Sequence, residues 1–466
     1  MSRSRRFGAL VCVVAIGSAL VGCSGSSDDS ASASTSTEPT DVTPDVAADP
    51  TLGDPAGVDP LPPLPPEVAR PIVFVHGFAG SAQQYESQAM RFVANGYPQE
   101  RIVAYDHDGA GFDIDGYAAG LDQVIDATLA RFGTDRVHLV GHSRGTFVSN
   151  RYLAEPTRAA KVARYVAIDG APCPDAVPCL APTQADFPGQ SHVEVATSEE
   201  SFAAQYEFLV GDAPEVVAIE PQRDPVVLRG RAVVFPANTG RAGATLDVWG
   251  IDPATGQRVG SEPYRSVELD ADGAFGPLEV ETAARYEYVL SSAESPIEHH
   301  LYLPPYVRSS DLVRLLSSEA NGSTRANTNV GVGHSAIIAM RMREWYAADD
   351  PETPGDETDV LEVSSDGVAP LDVITGFVGN AGIGLHLHDD AATPGASTLG
   401  ALPYFSVQPF QSGVDVFLPA SDPPTGTITL TSFPRGDAAH PETFHVPNWP
   451  SSTHSITVVF SDHRTG

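Results

Sequence analysis

Positive charge is scarce in this chain of 466 residues. It has 27 Lys and Arg against 60 Asp and Glu, a formal net charge of −33, and its one lysine is Lys161. Proteins that bind nucleic acids need clustered cations, because these displace the counterions of the phosphate backbone. We therefore expect no nucleic-acid partner.

Long hydrophobic runs are missing from most of the chain. Beyond the N-terminal segment, no stretch supplies the roughly 18 consecutive apolar residues of a membrane-spanning helix. Hydrophobic residues still make up 42% of the composition, which is typical of globular proteins and excludes wholesale disorder. The length excludes a single small module and predicts about three domains.

The N-terminus has the pattern of an export signal. Arginines precede an apolar run over residues 7–21, and Leu20-Val21-Gly22-Cys23 resembles the lipobox of bacterial lipoproteins. We therefore predict a signal peptide over 1–22, diacylation of Cys23, and a protein exported to the cell envelope and anchored on a membrane surface. The alternative is an ordinary signal peptide with a chance cysteine.

Residues 23–70 are predicted to form a disordered tether. Ser, Thr, Ala, Asp and Pro dominate this segment, and low hydrophobicity with charge of one sign cannot offset the entropy of ordering. The prolines near its end favour an extended spacer.

Apolar segments alternate with amphipathic ones from residue 71 to 169. This pattern predicts the α/β class, with a doubly wound, mostly parallel sheet covered by helices on both faces. The predicted helices are 82–95, 114–132 and 146–155, and the predicted strands are 101–105, 136–143 and 162–169.

A nucleophile motif, Gly141-His142-Ser143-Arg144-Gly145, stands between a predicted strand and a predicted helix. In a G-x-S-x-G turn the glycines remove Cβ atoms that would clash, and the serine hydroxyl is presented at the sheet edge. We therefore predict Ser143 as the nucleophile, with backbone N–H groups of Phe78 and Arg144 as the oxyanion hole. The alternative is a glycine-rich turn with a structural serine.

The acid and the base are expected later in the chain. Asp169 ends the next predicted strand, at the same sheet edge as the nucleophile, and Asp175 is its competitor. Asp169 is alternatively a loop cap. Two histidines, His192 and His334, precede predicted helices and are both candidates for the base.

Cysteine is also scarce, with four residues in the chain. Cys12 lies in the predicted signal peptide and Cys23 is the predicted lipidation site, which leaves Cys173 and Cys179. Because an exported compartment is oxidising, we expect these two to form a disulfide, the alternative being two inert thiols.

From about residue 226 the hydrophobic period changes to two, with frequent Gly, Pro and Asn turns, as in a β-sandwich or barrel. Segments 310–318 and 334–348 are predicted to be helical, between two β-rich blocks that form either one intertwined domain or two modules. Beyond residue 70, the predicted parts are a catalytic domain at 71–221, a β-sandwich-like accessory domain at 222–320, a helical connection at 321–354 and a C-terminal β-rich domain at 355–466.

Three segments together resemble the two-domain lipases typified by an archaeal long-chain triacylglycerol lipase. They are Ser-His-Val-Glu-Val-Ala-Thr-Ser at 191–198, Gly-Arg-Ala-Val-Val-Phe at 230–235 and His-His-Leu-Tyr-Leu-Pro-Pro-Tyr at 299–306. The resemblance runs from about residue 71 to the C-terminus. It implies an α/β-hydrolase fold joined to a C-terminal β-domain that binds lipid, and hydrolysis of an acyl ester or lipid substrate.

The resemblance also assigns site residues. It maps the nucleophile to Ser143, the acid to Asp169, the base to His192 and the oxyanion donors to Phe78 and Arg144. His334 then lies in the accessory region. A triad of this kind forms an acyl-enzyme, and we expect no metal or organic cofactor.

The chain departs from these lipases in two intervals. The span from Phe78 to Ser143 is too short for a helical lid, and only 23 residues separate Asp169 from His192. We therefore expect esters of short to medium acyl chains, accepted without interfacial activation. Two other functions stay open, a serine peptidase of the same fold and a non-catalytic lipid- or carbohydrate-binding surface protein.

Overall fold

The computed structural model describes residues 46–49, 57–223, 225–347, 358–374 and 382–463. These residues belong to one compact unit, which spans Thr43–Gly466. The predicted signal peptide and Cys23 lie outside the described residues. Among the described helices, none has the length and apolar character needed to cross a bilayer.

The region from 71 to 221, here called the α/β region, is built on a five-stranded parallel sheet of order β2-β1-β3-β4-β5. Its strands are β1 Ile72–Val75, β2 Ile102–Tyr105, β3 Val137–His142, β4 Val162–Ile168 and β5 Cys179–Leu180. Its α-helices are α1 Glu86–Ala94, α2 Ile114–Phe132, α3 Arg144–Leu153, α4 Pro156–Ala159, α5 Glu194–Thr197 and α6 Glu199–Val210.

Helices cover both faces of this sheet, because successive side chains of a strand point to opposite sides. On β1, Phe74 packs in one core with Phe92 of α1 and Phe202 of α6. Its neighbour Val73 packs in the other core, with Leu121 of α2. The doubly wound α/β architecture predicted from the sequence is confirmed.

The ends of α2 explain why its predicted bounds match those observed. The Asp113 side chain accepts a hydrogen bond from the backbone N–H of Gly116, which caps the helix N-terminus. Gly133 ends the helix in the left-handed conformation, with φ of 60°, which glycine adopts without steric cost.

The β region follows, from residue 222 to 463, and among its described residues contains one short α-helix, α7 Ser323–Asn327, and a 3₁₀ helix, Pro403–Val407. Its strands are β6 Val226–Val234, β7 Thr239–Gly240, β8 Thr245–Gly250, β9 Arg265–Glu268, β10 Ala274–Val280, β11 Tyr286–Ser292, β12 Ser295–Tyr302, β13 Ser310–Ser317, β14 Ile337–Trp345, β15 Val360–Ser365, β16 Val368–Asp372, β17 Gly382–His388, β18 Gln411–Asp415, β19 Thr427–Phe433, β20 Glu442–Pro447 and β21 His454–Phe460.

One eight-stranded sheet joins the two predicted β blocks. Its order is β18-β17-β14-β21-β12-β11-β8-β9, so strands from before and after residue 320 pair directly. The junction is the parallel pairing of β12 with β21. Smaller sheets, β10-β6-β13 with β7 and β16-β15-β19-β20, complete the region. Of the two arrangements that the sequence left open, the blocks adopt the intertwined one.

Two helical predictions are wrong. Segment 310–318 is strand β13, paired with β6, and most of segment 334–348 is strand β14, paired with β17 and β21. The 321–354 connection is therefore not mainly helical in its described part. Helix-forming residues, Leu and Arg in the first segment and Ala, Met and Arg in the second, favour a helix, but pairing within a sheet overrides that local preference.

The tether prediction is wrong for the described residues before 71. Val46 packs into the core of the β region, and Ala69 is fully buried in the core of the α/β region. The Asp49 carboxylate lies 2.6 Å from Nε of Arg285, and both side chains are buried. Composition missed these contacts because single anchoring residues barely change the average hydrophobicity of a segment.

Candidate active site

Ser143 occupies a sharp turn between β3 and α3. Its φ of 53° and ψ of −122° fall outside the usual regions for a residue with a side chain, which is the geometry of a nucleophile elbow. The flanking glycines are sterically required. A Cβ on Gly145 would lie 2.1 Å from the carbonyl oxygen of Val75, and one on Gly141 would lie 2.9 Å from the Gly145 carbonyl oxygen.

Asp169 and His192 are brought together by the structure. Nδ1 of His192 lies 2.6 Å from Oδ2 of Asp169, which leaves Nε2 of the imidazole for proton exchange with a nucleophile. Burial raises the pKa of Asp169, but the His192 hydrogen bond and nearby imidazoles outweigh it, so the pKa lies below its ordinary value. The competitor Asp175 is exposed, and His334 contacts Ser451 in the β region.

His142, the residue before the nucleophile, holds the backbone of the histidine loop. Its Nε2 donates to the carbonyl oxygen of His192 at 2.9 Å, while its Nδ1 accepts from the side-chain amide of Gln84. Burial lowers the pKa of His142 to about 3, so its ring is neutral near pH 7. The two imidazoles lie 4.6 Å apart between ring centroids.

The Arg144 side chain packs against the predicted oxyanion loop. Its guanidinium lies 5.0 Å from the ring of Phe78 and donates to the carbonyl oxygen of Asp108 at 2.7 Å and to that of Gly111. The sequence motif predicted a role only for the backbone N–H of this residue. The structure adds a side chain that ties the residues after β2 to the loop at Phe78.

The β region also contacts this loop. The side-chain amide of Asn238 donates to the carbonyl oxygens of Gly80 and His107, each at 2.9 Å. The carbonyl oxygen of Pro236 accepts from the N–H of Gly109 at 2.7 Å. Residues between β6 and β7 thus hold both segments that flank Phe78.

Glu344, on β14, holds the histidine loop from the opposite side. Its carboxylate accepts a hydrogen bond of 2.6 Å from the backbone N–H of Val193 and another from the hydroxyl of Ser191. These are the two residues that flank His192. The Glu344 side chain is fully buried, so the two hydrogen bonds are shielded from water.

A buried ion-pair network extends this clamp. Glu194, two residues after His192, forms an ion pair with Nε of Arg343 at 2.7 Å and accepts a hydrogen bond of 2.6 Å from Arg435. Arg435 also pairs with Asp359 at 2.8 Å. Burial raises the pKa of Glu194, but the two guanidinium groups outweigh it and hold the pKa below its ordinary value.

A cavity of about 520 Å³ lies between the oxyanion loop and the β region. Residues 79–81 form one part of its wall. Phe410 forms another, and its ring stacks on His192 with centroids 6.1 Å apart. Apolar side chains of the β region supply much of the remaining wall, among them Ile297, Leu316, Ile338, Met340, Met342 and Ile383.

No helical lid interrupts the interval from 78 to 143, which is described throughout. Apart from short 3₁₀ turns, it contains α1, β2, α2 and β3, all of which belong to the sheet and its covering helices. Phe112 lies exposed in this interval and stacks on Phe78 at 5.4 Å between ring centroids.

The expected disulfide between Cys173 and Cys179 is present, with an S–S distance of 2.01 Å. It closes the loop that contains Asp175 and leads into β5.

The sequence did not indicate a role for Glu344, Asn238 or Arg435 in the site. Each acts on the site from a distant part of the chain, so no local spacing pattern could identify them.

Three family models match successive parts of the chain. A model of the alpha/beta hydrolase fold matches residues 70–206, and one of the lipase C-terminal domain matches residues 224–320. A further C-terminal domain model matches residues 323–464. The α/β region therefore has the α/β-hydrolase fold, followed by a β region that is lipase-like in its first part. The archaeal likeness and the lipobox stay predictions.

Relatives resemble only part of the chain. Non-heme chloroperoxidases of Burkholderia pyrrocinia and Streptomyces lividans are each 36% identical to it, over 23% and 21% of its length. The chain spans 34% and 36% of those proteins, about a third of each.

Solved structures also match in part. The lipase BlEst2 of Bacillus licheniformis is 23% identical, with a TM-score of 0.21, over 34% of this chain and 57% of that chain. The epoxide hydrolase VrEH1 of Vigna radiata is 24% identical, with a TM-score of 0.19, over 25% of this chain and 36% of that chain.

The clamp on the histidine loop predicts the effect of a distant substitution. Glu344→Ala should lower kcat by about 10–100-fold for any substrate whose reaction needs His192. A displacement of a catalytic group by about 1 Å has an effect of that order. Glu344→Gln should restore most of the activity, since its amide oxygen still accepts from Val193. Steady-state kinetics, with folding checked by circular dichroism, measure both.

The matched control is Glu362→Ala, a half-buried glutamate on β15. It should leave kcat unchanged. A folded Glu344→Ala protein with wild-type kcat would show that the loop does not depend on β14.

Proposed function

We propose that the chain is a carboxylic ester hydrolase. The observation that carries the proposal is the Asp169–His192 hydrogen bond beside a serine held in an elbow conformation. This pairing fixes the imidazole tautomer and gives a serine hydroxyl its general base. The match of residues 224–320 to a lipase C-terminal domain supports an ester as the substrate.

The proposed mechanism proceeds through an acyl-enzyme. Ser143 attacks the ester carbonyl while His192 takes its proton, and backbone N–H groups of Phe78 and Arg144 stabilise the oxyanion. His192 then protonates the leaving alcohol. Water, activated by the same imidazole, hydrolyses the acyl-enzyme, and the ionised Asp169 stabilises the imidazolium in both steps.

The cavity supports an apolar substrate group. Its volume of about 520 Å³ lies within the range of roughly 300–1,000 Å³ that is usual for ligand pockets. It begins at residues 79–81, next to the proposed oxyanion donor Phe78, and passes the ring of Phe410. We infer that an acyl chain of medium length extends from the ester carbonyl into this cavity. The absence of a lid over 78–143 supports activity without interfacial activation.

Export and lipid anchoring are part of the proposal. Their support is the sequence before residue 24 and the Cys173–Cys179 disulfide, which suits an oxidising compartment. A serine peptidase of the same fold and a non-catalytic surface protein are the alternatives, and turnover of esters by the wild-type protein in the kinetic experiments below would exclude the second.

Two substitutions separate the roles of the two histidines. His192→Ala should reduce kcat on p-nitrophenyl butyrate by about 10⁴–10⁶-fold, because loss of a triad base has an effect of that order. His334→Ala should keep kcat within about tenfold, since its contacts lie in the β region. The reverse pattern in two folded variants would contradict the site, and an inactive wild-type protein on all esters would contradict the function.

Another prediction concerns the cavity. Ile338→Trp should fill part of it and lower kcat/KM for p-nitrophenyl octanoate at least about tenfold relative to p-nitrophenyl acetate, because pocket volume limits chain length. Val259→Trp, at an exposed position outside the cavity wall, is the matched control and should leave the ratio unchanged. An unchanged ratio for Ile338→Trp would place the acyl group elsewhere.

A further prediction concerns the anchor. Cys23→Ala should release the protein from membranes or leave its signal peptide uncleaved, because the lipid chains are attached to this thiol. Membrane fractionation and intact-mass measurement test this. The neighbouring Ser24→Ala protein should fractionate as wild type. Wild-type partitioning and processing of Cys23→Ala would refute lipidation.

A further inference from the structure

Two histidines and one glutamate converge on the eight-stranded sheet, apart from the proposed triad, and one of them, His454, also lines the cavity. Glu298 and His300 lie two residues apart on β12, so their side chains share one face of the strand. His454 begins β21, and the strand register places it directly opposite Glu298. The backbone pairing thus directs three metal-ligating side chains to the same point.

The ligand atoms have the spacing of a metal site. Nε2 of His300 lies 2.9 Å from Nδ1 of His454 and 3.9 Å from Oε2 of Glu298. Nδ1 of His454 lies 3.8 Å from Oε2 of Glu298. Atoms bound to one tetrahedral Zn²⁺ ion at about 2.1 Å lie about 3.4 Å apart, and each of the three separations is within about 0.5 Å of that value.

We propose that Glu298, His300 and His454 bind a divalent transition-metal ion, with Zn²⁺ as the best fit. Imidazole nitrogens with one carboxylate are ligands that zinc prefers, and three protein ligands leave a fourth tetrahedral position for water. Calcium and magnesium fit poorly, because they favour sets of oxygen ligands.

The groups behind the ligands support this assignment. A ligating histidine almost always donates its other ring N–H to a carboxylate or a carbonyl group. Here Nδ1 of His300 lies 2.7 Å from Oε1 of Glu287, which is buried. Glu287 also accepts from the hydroxyl of Tyr302 at 2.8 Å and from Nε of Arg258 at 2.6 Å. The orientation of the His300 ring is therefore fixed in advance.

The site is also accessible from solvent. The side chain of Glu298 is 48% exposed, whereas those of His300 and His454 are 0% and 11% exposed. An ion can therefore enter from the Glu298 side without opening the core, and a water ligand has room there.

The position of the site indicates a structural role. β12 belongs to the first β block and β21 to the second, and their pairing is the junction between the blocks. An ion bound to both strands holds this junction together. Glu298 lies on one strand and His454 on the other, so only the folded chain brings the ligands together. The ion therefore binds the folded state, and the free energy of unfolding rises with zinc concentration.

Metal titration of the full wild-type protein tests the proposal. After removal of metals with a chelator, the protein should bind one equivalent of Zn²⁺ by calorimetry. Co²⁺ in its place should give visible absorption bands of tetrahedral or five-coordinate cobalt, and Zn²⁺ should raise Tm. No uptake at micromolar Zn²⁺ would overturn the site in favour of a metal-free hydrogen-bonded cluster.

Two variants assign the ligands. Glu298→Gln and His454→Gln should each weaken Zn²⁺ binding by more than the roughly 10–100-fold that loss of an outer-shell partner costs. Glu298 is about half exposed, so its variant should fold. Glu294→Gln, an exposed acid on the same hairpin, and His440→Gln, an exposed histidine, are matched controls and should bind as wild type. Wild-type affinity in both ligand variants would overturn the assignment.

Discussion

The hydrogen bonds that the Glu344 carboxylate accepts from the loop of His192 are the contacts on which the site most depends. A histidine on a loop needs external support if its imidazole is to meet both the acid and the nucleophile. Here the support comes from β14 on one side and from His142 on the other. The β region also holds the oxyanion loop through Asn238. It therefore completes the site rather than forming a separate appendage.

Four arginines form ion pairs where the two regions meet. Asp106, at the end of β2, lies 2.8 Å from Arg314 and 3.1 Å from Arg231, and Glu194 pairs with two more arginines. A buried ion pair adds little net stability, but removal of one partner leaves a buried charge and typically costs about 3–5 kcal/mol. Such pairs favour one relative position of the regions over all others, which suits a site assembled from both.

Local sequence signals were sufficient for the α/β region. α2 has the predicted bounds because a capping residue, Asp113, marks its start. The elbow at Ser143 was predictable because its geometry requires glycine at positions 141 and 145. The sequence failed where long-range pairing decides the structure, as in β13 and β14. No local pattern indicated Glu344, which lies 151 residues from Val193 in the chain. The composition of residues 46–49 predicted a tether, although Val46 and Asp49 are buried.

The central claim is that Ser143 is a nucleophile activated by His192 and Asp169. Its most direct test is labelling of the full-length protein with a fluorophosphonate, followed by mass spectrometry of the peptides. Stoichiometric phosphonylation of Ser143 is the expected result, with strongly slowed labelling in His192→Ala and none at this position in Ser143→Ala. An unlabelled wild-type protein, or labelling at a different serine, would contradict the claim.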